Sequence, residues 1–345
     1  MRTGGAMQAV WITKHGAPRV LEVRETPDPE VGTGQVRIQV RAAGLNFAEV
    51  MARQGLYPDA PKTPCVVGYE VAGEVDAVGA GVTHVKVGDR VAAMTRFGGH
   101  ASVVAVPQRQ VFPMPDSMSF EEGAALPVNY LTAYHMLFEI KRIRPGEKVL
   151  VHMAAGGVGT AALQLCRTID DVTTYGTCSA KKHDYARGHG CDHPIDYRTE
   201  DYAEVIRRDL GERRLDLVLD ALGGRDWKKG YGLLRSTGTL IAFGWANMNK
   251  GGKRRLLHVV SEMAGLPRYT PIKLMEDNRA IAGVNMGHLW HEGELVRREA
   301  LALMKLFEEG KIKPHVDRVF SFAEAAAAHT YLESGKNVGK VVLTP

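Results

Sequence analysis

Five consecutive residues, Ala155-Gly156-Gly157-Val158-Gly159, have the types and spacing to hold a diphosphate. The apolar run before them, Val149-Leu150-Val151-His152-Met153, reads as a strand, and the alanine-rich stretch from Thr160 has helical spacing. Glycine lets a backbone turn sharply and approach a ligand closely. A new helix aims free N–H groups and its positive dipole end at an anion. This is the layout of a dinucleotide-binding βα turn. The spacing is shorter than G-x-G-x-x-G and nearer to A-x-x-G-x-x-G counted from Ala154, with Gly157 in the middle and Thr160 in the last place. Gly-Gly turns also join strands to helices that bind nothing, so the turn alone leaves both readings open.

The nucleotide is chosen at the end of the second strand. An NAD site carries an acidic residue there, about 20 residues after the glycines, to take the ribose hydroxyls. Here the place holds Thr177-Cys178-Ser179, followed by Lys181-Lys182. Asp170 and Asp171 precede the strand and so belong to the wrong edge of the sheet. A hydroxyl and an ammonium suit a 2′-phosphate, which favours NADPH over NADH. Lys181 and Lys182 also suit the start of a solvated helix, but that reading does not supply the missing acid.

The elements that must position these residues follow from periodicity. About the first 125 residues read as short alternating strands between glycine and proline stops, as in Val36-Arg37-Ile38-Gln39-Val40. A proline-rich passage, Phe112-Pro113-Met114-Pro115, then gives way to βα alternation. Strands are expected at 148–153, 172–177, 215–220, 239–243 and 281–285, and helices at 160–169, 181–188, 201–210 and 226–234. Apolar strands separated by helices imply a doubly wound parallel sheet. A further helix, 294–309, places Val296, Ala300, Leu303 and Phe307 on one face and stops at Gly310. After it, Val319-Phe320 and 338–343 are strand-like and suited to rejoin the first domain.

The 345 residues suit two domains. Apolar content of 45% and charge of 24% are those of a soluble globular protein. Four cysteines without C-x-x-C spacing argue against a zinc ribbon or a disulfide framework and for a reducing cytoplasm. The opening Met1–Ala6 lacks the apolar core of a signal peptide and reads as an extension before Met7. The uncharged stretch 149–166 contains three glycines and a histidine, so it reads as strand plus helix and not as a membrane span. The net charge of +5 is partly local, in Lys250, Lys253, Arg254 and Arg255. That patch has no interleaved aromatics and suits a solvated loop better than nucleic acid or anionic lipid.

An ordered set of segments resembles the medium-chain dehydrogenase/reductase superfamily, and within it the zinc-independent quinone oxidoreductases. These are Ala43-Gly44-Leu45-Asn46-Phe47-Ala48-Glu49, Arg53-Gln54-Gly55-Leu56-Tyr57-Pro58, Pro64-Cys65-Val66-Val67-Gly68-Tyr69-Glu70, Val87-Gly88-Asp89-Arg90-Val91, the glycine turn, and Asn337-Val338-Gly339-Lys340-Val341-Val342. Segments 151–158, 165–168, 193–197 and 310–315 resemble the vesicle amine transport protein branch in particular.

The resemblance implies an α/β chain: a β-rich GroES-like catalytic domain at 1–127 and 289–345, and a Rossmann domain binding NADPH at 128–288. The superfamily's alcohol dehydrogenases hold a catalytic zinc by cysteine, histidine and cysteine near a glutamate. Here Asn46, Tyr69 and Val128 stand in those places and only Glu70 is kept, so no metal is expected. The implied reaction is hydride transfer from NADPH to a quinone or an α,β-unsaturated carbonyl acceptor. Asn46 and Tyr57 are the expected catalytic residues, Asn46 toward a ribose hydroxyl or the developing oxyanion and Tyr57 as proton donor or wall. A turn-capping amide and a core aromatic are their bland alternatives. Asn46, Thr132, Ala155, Gly156, Gly157, Val158, Gly159, Ser179, Lys182, Tyr197, Phe243, Gly244 and Asn337 are the expected cofactor contacts, with Ser179, Lys182 and Tyr197 at the adenosine end and Phe243, Gly244 and Asn337 at the nicotinamide end. Thr132 also suits a helix hydroxyl bonded to its own backbone. The resemblance further implies a homodimer joined near residues 280–285. It leaves two other functions in view: an NADPH-binding interaction protein with little turnover, and an enoyl-thioester reductase.

Overall fold

A computed structural model describes residues 5–212, 214–249 and 266–345. The basic loop at Lys250, Lys253, Arg254 and Arg255 lies outside the described residues. The chain divides into two compact units, one of Met1–Leu131 with Met286–Pro345 and one of Thr132–Asn285.

The first unit is β-rich. β1 (Ala6–Ile12) pairs antiparallel with β2 (Leu21–Pro27). β3 (Gln35–Leu45) buries Val36, Ile38 and Val40 while Arg37, Gln39 and Arg41 point outward, as its alternation requires. From Ala42 onward both its faces are covered. α1 (Phe47–Gln54) starts at a capping box between Asn46 and Glu49 and stops at Gly55 with φ of 73°. β4 (Cys65–Val66), β5 (Glu70–Val78), β6 (Arg90–Met94), β7 (Val103–Pro107) and β8 (Val111–Pro113) follow. α2 (Phe120–Ala125), capped by Ser119, and α3 (Pro127–Tyr134) complete this stretch.

The second unit is a six-stranded parallel sheet built from β9 (Lys148–Val151), α4 (Gly157–Cys166), β10 (Thr173–Cys178), α5 (His183–Gly188), β11 (His193–Asp196), α6 (Tyr202–Leu210), β12 (Leu215–Asp220), α7 (Arg225–Leu233), β13 (Leu234–Ala242) and β14 (Ala280–Gly283). Its strand order is β11-β10-β9-β12-β13-β14 and every pairing is parallel. The order reverses between β9 and β12, and in open α/β sheets ligands bind outside the carboxyl ends of the strands at that switch point. All six residues of β12 are buried, as expected of a strand covered on both faces. The chain thus has the α/β fold that its sequence implies.

The sheet has one strand more than its periodicity announced. β11 is short, carries Pro194 and lies at the edge, where a missing N–H breaks no ladder. β13 begins at Leu234, directly after α7, and not at 239.

The tail returns to the first unit. The helix Gly293–Glu308 buries Val296, Ala300 and Leu303. β15 (Val316–Ser321) pairs parallel with β16 (Lys340–Thr344), which pairs antiparallel with β3. A larger sheet in the order β15-β16-β3-β5-β6-β8 results, with β7 also on β3. All four cysteines are buried free thiols. Among the described residues no helix is long and apolar enough to cross a membrane.

Candidate active site

In the second unit the glycine turn links β9 to α4 at the switch point. Met153, the second residue past β9, has φ of 54°, a left-handed conformation that L side chains rarely adopt. Its carbonyl thereby accepts the Gly156 N–H at 2.8 Å. A Cβ on Gly159 would strike that carbonyl and lie 2.7 Å from Ala154 Cα, so only glycine lets α4 start here. The first-turn N–H groups of α4 have no intrahelical acceptors and point out of the helix start. Ala155 is buried, whereas Gly156, Gly157 and Val158 are half-buried at the surface. The geometry suits a diphosphate.

At the end of β10, Ser179 is buried and opens a short 3-10 turn, Ala180–Lys182. Burial pushes the neighbouring Cys178 thiol up to about 11 against the pull of Lys182 and Arg187, which places both cations near this strand end. Asp196, opposite Cys178, commits its carboxylate to the Arg198 N–H (3.1 Å) and the Thr199 hydroxyl (3.3 Å) of its own turn. Tyr197 beside it is 56% exposed, with the Arg198 guanidinium 5.8 Å over its ring. Past β13, Phe243 N–H donates to the Asp220 carbonyl (2.9 Å), and a Cβ on Gly244 would lie 2.9 Å from the Ala221 carbonyl. Ala155–Gly159, Ser179, Tyr197, Phe243 and Gly244 therefore all follow carboxyl ends of the parallel strands. Thr132 is buried in α3.

The first unit gathers a different set. Val341 pairs with Leu45, which brings Lys340 opposite Asn46, and Val71 pairs with Ala43, which brings Glu70 opposite Gly44. A side chain on Gly44 would collide with the Glu70 carboxylate and the Ala124 carbonyl. The Lys340 ammonium bonds Glu70 Oε1 and also donates to Asn46 Oδ1 at 2.5 Å. Glu70 Oε2 accepts the Val128 N–H at 2.7 Å. Asn46 Nδ2 donates to Glu70 Oε1 (3.0 Å) and Glu49 Oε1 (3.3 Å), so its side chain is turned inward at both ends. Glu49 and Glu70 are fully buried and Lys340 is 3% exposed. Burial raises the Glu49 pKa to about 8, against the pull of Lys340, so this acid is mostly protonated at neutral pH. Buried His100, lowered to about 4 by desolvation, faces the Gly44 carbonyl through Nε2 at 3.2 Å.

Tyr69, directly before Glu70, forms an aromatic group with Tyr57 (ring centroids 6.2 Å) and Phe97 (5.3 Å). Burial, together with nearby Glu49 and Tyr57, holds its phenol above the usual range, so it stays protonated. Its hydroxyl is buried, and Tyr57 is the phenol within its reach among the described residues. Asn337 sits before β16, its amide donating to the Gly339 carbonyl (3.2 Å). The structure thus groups Asn46 with Glu49, Glu70 and Lys340, and Tyr57 with Tyr69 and Phe97.

These residues do not fit a zinc ion. An amide with both hydrogens donated, a phenol and an alkyl group replace the N and S donors of such a site. The ammonium bonded to Glu70 and Asn46 would repel a further cation. Among the described residues no group of three or more histidine, cysteine or acidic side chains is arranged to hold a metal.

A β-rich unit joined to a parallel 3-2-1-4-5-6 sheet with a glycine turn at its switch point defines a dinucleotide-dependent oxidoreductase architecture. The family model for the alcohol dehydrogenase GroES-like domain matches residues 32–116, and that described as zinc-binding dehydrogenase matches residues 189–343. A synaptic vesicle membrane protein VAT-1 homolog of Rattus norvegicus is 47% identical over 325 residues, 94% of this chain and 80% of the relative. A quinone oxidoreductase of Pseudomonas aeruginosa is 34% identical over 97% of this chain and 99% of its own. Among solved structures, Escherichia coli quinone oxidoreductase complexed with NADPH superimposes with a TM-score of 0.85 at 28% identity, covering 98% of this chain and 100% of that one. CurK enoyl reductase gives 0.84 at 28% identity, covering 98% and 99%. The chain belongs to the medium-chain dehydrogenase/reductase superfamily of oxidoreductases, close to the VAT-1 homologues and the quinone oxidoreductases.

Sequence reasoning overlooked Lys340 and Glu49 as partners of Asn46, and His152 and Asp220 beside the glycine turn. A histidine closing one apolar strand and an aspartate closing another were the available signals, since charge at the end of a buried run needs a reason.

Proposed function

We propose that this protein is a zinc-independent, NADPH-dependent oxidoreductase that transfers hydride to a quinone or an α,β-unsaturated carbonyl acceptor. The observation that carries the reading is the end of β10. A buried serine and two nearby cations stand there, and the nearest carboxylate, Asp196, is engaged by its own turn. A 2′-phosphate fits such an edge, whereas a bare ribose diol lacks its acid. The NADPH complex of the Escherichia coli relative supports it.

NADPH, when bound, supplies the hydride. Ala155, Gly156, Gly157, Val158 and Gly159 hold the diphosphate; Ser179, Lys182 and Tyr197 hold the adenosine 2′-phosphate and ribose. Thr132, Phe243, Gly244 and Asn337 orient the nicotinamide end. Tyr57 faces the acceptor, whereas Asn46, its amide already engaged by Lys340 and the two glutamates, holds the charged cluster behind it and has no free hydrogen for a developing oxyanion. Quinones and enones spread the incoming charge onto oxygen, so no Lewis acid is required.

A second reading, enoyl-thioester reduction, is favoured by the likeness to CurK enoyl reductase. The names of the vesicle relatives favour a third, NADPH-regulated interaction with little turnover. β14 is an edge strand, with one side unpaired among the described residues; pairing with β14 of a second copy would cover it and form a homodimer. Buried thiols accord with a cytoplasmic location.

The test is calorimetry with NADPH and NADH, followed by NADPH oxidation with a naphthoquinone, a simple enone and a crotonyl thioester. Tighter NADPH binding and quinone- or enone-dependent turnover are expected. Absence of NADPH binding, or stoichiometric zinc in the purified protein, overturns the reading; turnover with the thioester alone selects the second one.

A further inference from the structure

We propose that His152 and Asp220 form a positioning latch beneath the glycine turn, fixing its backbone through the Thr177 hydroxyl and the loop after β12. The proposal rests on that turn being the diphosphate site. Both side chains are fully buried at the switch point of the sheet, His152 just past β9 and Asp220 at the end of β12. His152 Nε2 and Asp220 Oδ2 face each other across 3.9 Å, an electrostatic approach too long for a hydrogen bond, and among the described residues neither atom has a hydrogen-bond partner. Burying two polar atoms in this way is costly, so the pair is not a packing device.

The other ends of the two side chains hold backbone. Asp220 Oδ1 accepts the N–H groups of Leu222 (2.7 Å) and Gly223 (2.8 Å), fixing the loop after β12. His152 Nδ1 lies 3.0 Å from Thr177 Oγ1, and that oxygen also accepts the Met153 N–H at 3.3 Å. The Thr177 carbonyl accepts the Ala154 N–H at 3.0 Å. One chain of contacts, Asp220–His152–Thr177–Met153, thus crosses the ends of three adjacent strands, β12, β9 and β10. It ends on the left-handed residue that aims its carbonyl at Gly156.

The direction of the hydrogen bonds sets the tautomer. Asp220 as a carboxylate attracts a proton onto Nε2, and bare Nδ1 then accepts from the Thr177 hydroxyl. Burial lowers the basicity of His152 and raises that of Asp220, while each opposes the shift in the other. Other groups around the imidazole are Tyr202, whose ring meets it edge-on at 4.7 Å, Asp226, bonded to the Tyr202 hydroxyl at 3.0 Å, and Lys229, 4.1 Å over the Tyr202 ring. The imidazole is therefore neutral with its proton on Nε2. His152 is a positioning residue, acting on the coenzyme only through Met153 and Thr177.

The experiment uses the full-length protein labelled with 15N-histidine. Wild type is expected to show His152 protonated on Nε2. Asp220→Asn retains acceptors for Leu222 and Gly223 but turns N–H groups toward Nε2, and is expected to move the proton to Nδ1. Calorimetry should show the NADPH dissociation constant raised at least tenfold in His152→Ala and Thr177→Val, with kcat at saturating NADPH within twofold of wild type. Thr177→Ser should restore binding, which a volume effect would not. Should His152→Ala fail to fold, the Thr177 pair and the tautomer of Asp220→Asn decide the matter. An Nδ1–H tautomer in wild type, or unchanged NADPH binding in folded Thr177→Val, overturns the proposal. Failure of wild type itself to bind NADPH overturns the coenzyme reading and leaves the tautomer result standing.

Discussion

The cluster around Lys340 and the glycine turn are both sites where the chain organises charge, but they do so by opposite means. In the turn the charge is partial and belongs to the backbone: N–H groups at the start of α4, presented by residues within one short segment. In the cluster it is whole and belongs to side chains, with Asn46, Glu49, Glu70 and Lys340 drawn from three separated parts of the sequence. A backbone site tolerates changes of side chain but not of shape. A side-chain site tolerates changes of shape but not of charge.

The largest effect should come from breaking the charge balance. Lys340→Met leaves the Glu70 carboxylate fully buried without its cation, and is expected to cost about 3–5 kcal/mol in urea unfolding. A loss below 1 kcal/mol would show the cluster to be solvated in the native protein. Next, Glu49 has a pKa raised from 4.5 to about 8, so the folded state binds more protons than the unfolded state between those values. Stability should therefore be greatest below pH 4.5 as far as this group is concerned, and fall as pH rises to 8, with a slope of at most about 1.4 kcal/mol per pH unit. Glu49→Gln should remove that component, so the variant gains on wild type between pH 5 and pH 8 in paired melts. Parallel pH curves for the two proteins would contradict the buried acid.

On the turn side the effects are smaller and selective. Lys182→Ala is expected to weaken NADPH by about 1–3 kcal/mol and to leave NADH nearly unchanged; equal weakening of both would remove Lys182 from the 2′-phosphate. The smallest effect is expected at Tyr69→Phe. The hydroxyl it deletes is buried beside Tyr57, so unfolding should become easier by about 1 kcal/mol or less, the worth of one net hydrogen bond. A gain in stability would show that phenol to be without a partner.

The same contrast explains what was legible in the sequence. The glycine turn and the flanking strand and helix are local, and each residue restricts its neighbours by steric rules that read directly from the chain. β12 declared itself because a strand covered on both faces is mostly apolar, here through Leu215, Leu217, Val218 and Leu219. β11 did not, because a four-residue edge strand with a proline has neither length nor alternation to announce it. Asn46 stood out through a family pattern, yet nothing near it in sequence indicates that its amide is enclosed by Glu49, Glu70 and Lys340. Those contacts depend on the register of β16 against β3 and of β3 against β5, which the order of residues does not state. His152 and Asp220 were visible only as polar endings of apolar strands, and their mutual approach required the reversed order of the sheet.

The separation of 270 positions between Glu70 and Lys340 has a consequence during protein synthesis. At about 5–20 residues per second, the ribosome delivers the lysine roughly a quarter of a minute to a minute after the glutamate. Throughout that interval β3 and β5 have no ammonium to neutralise the acid between them, so the nascent first unit must keep that acid hydrated or protonated. Its final closure therefore follows emergence of the tail, long after the parallel sheet has had its strands in hand.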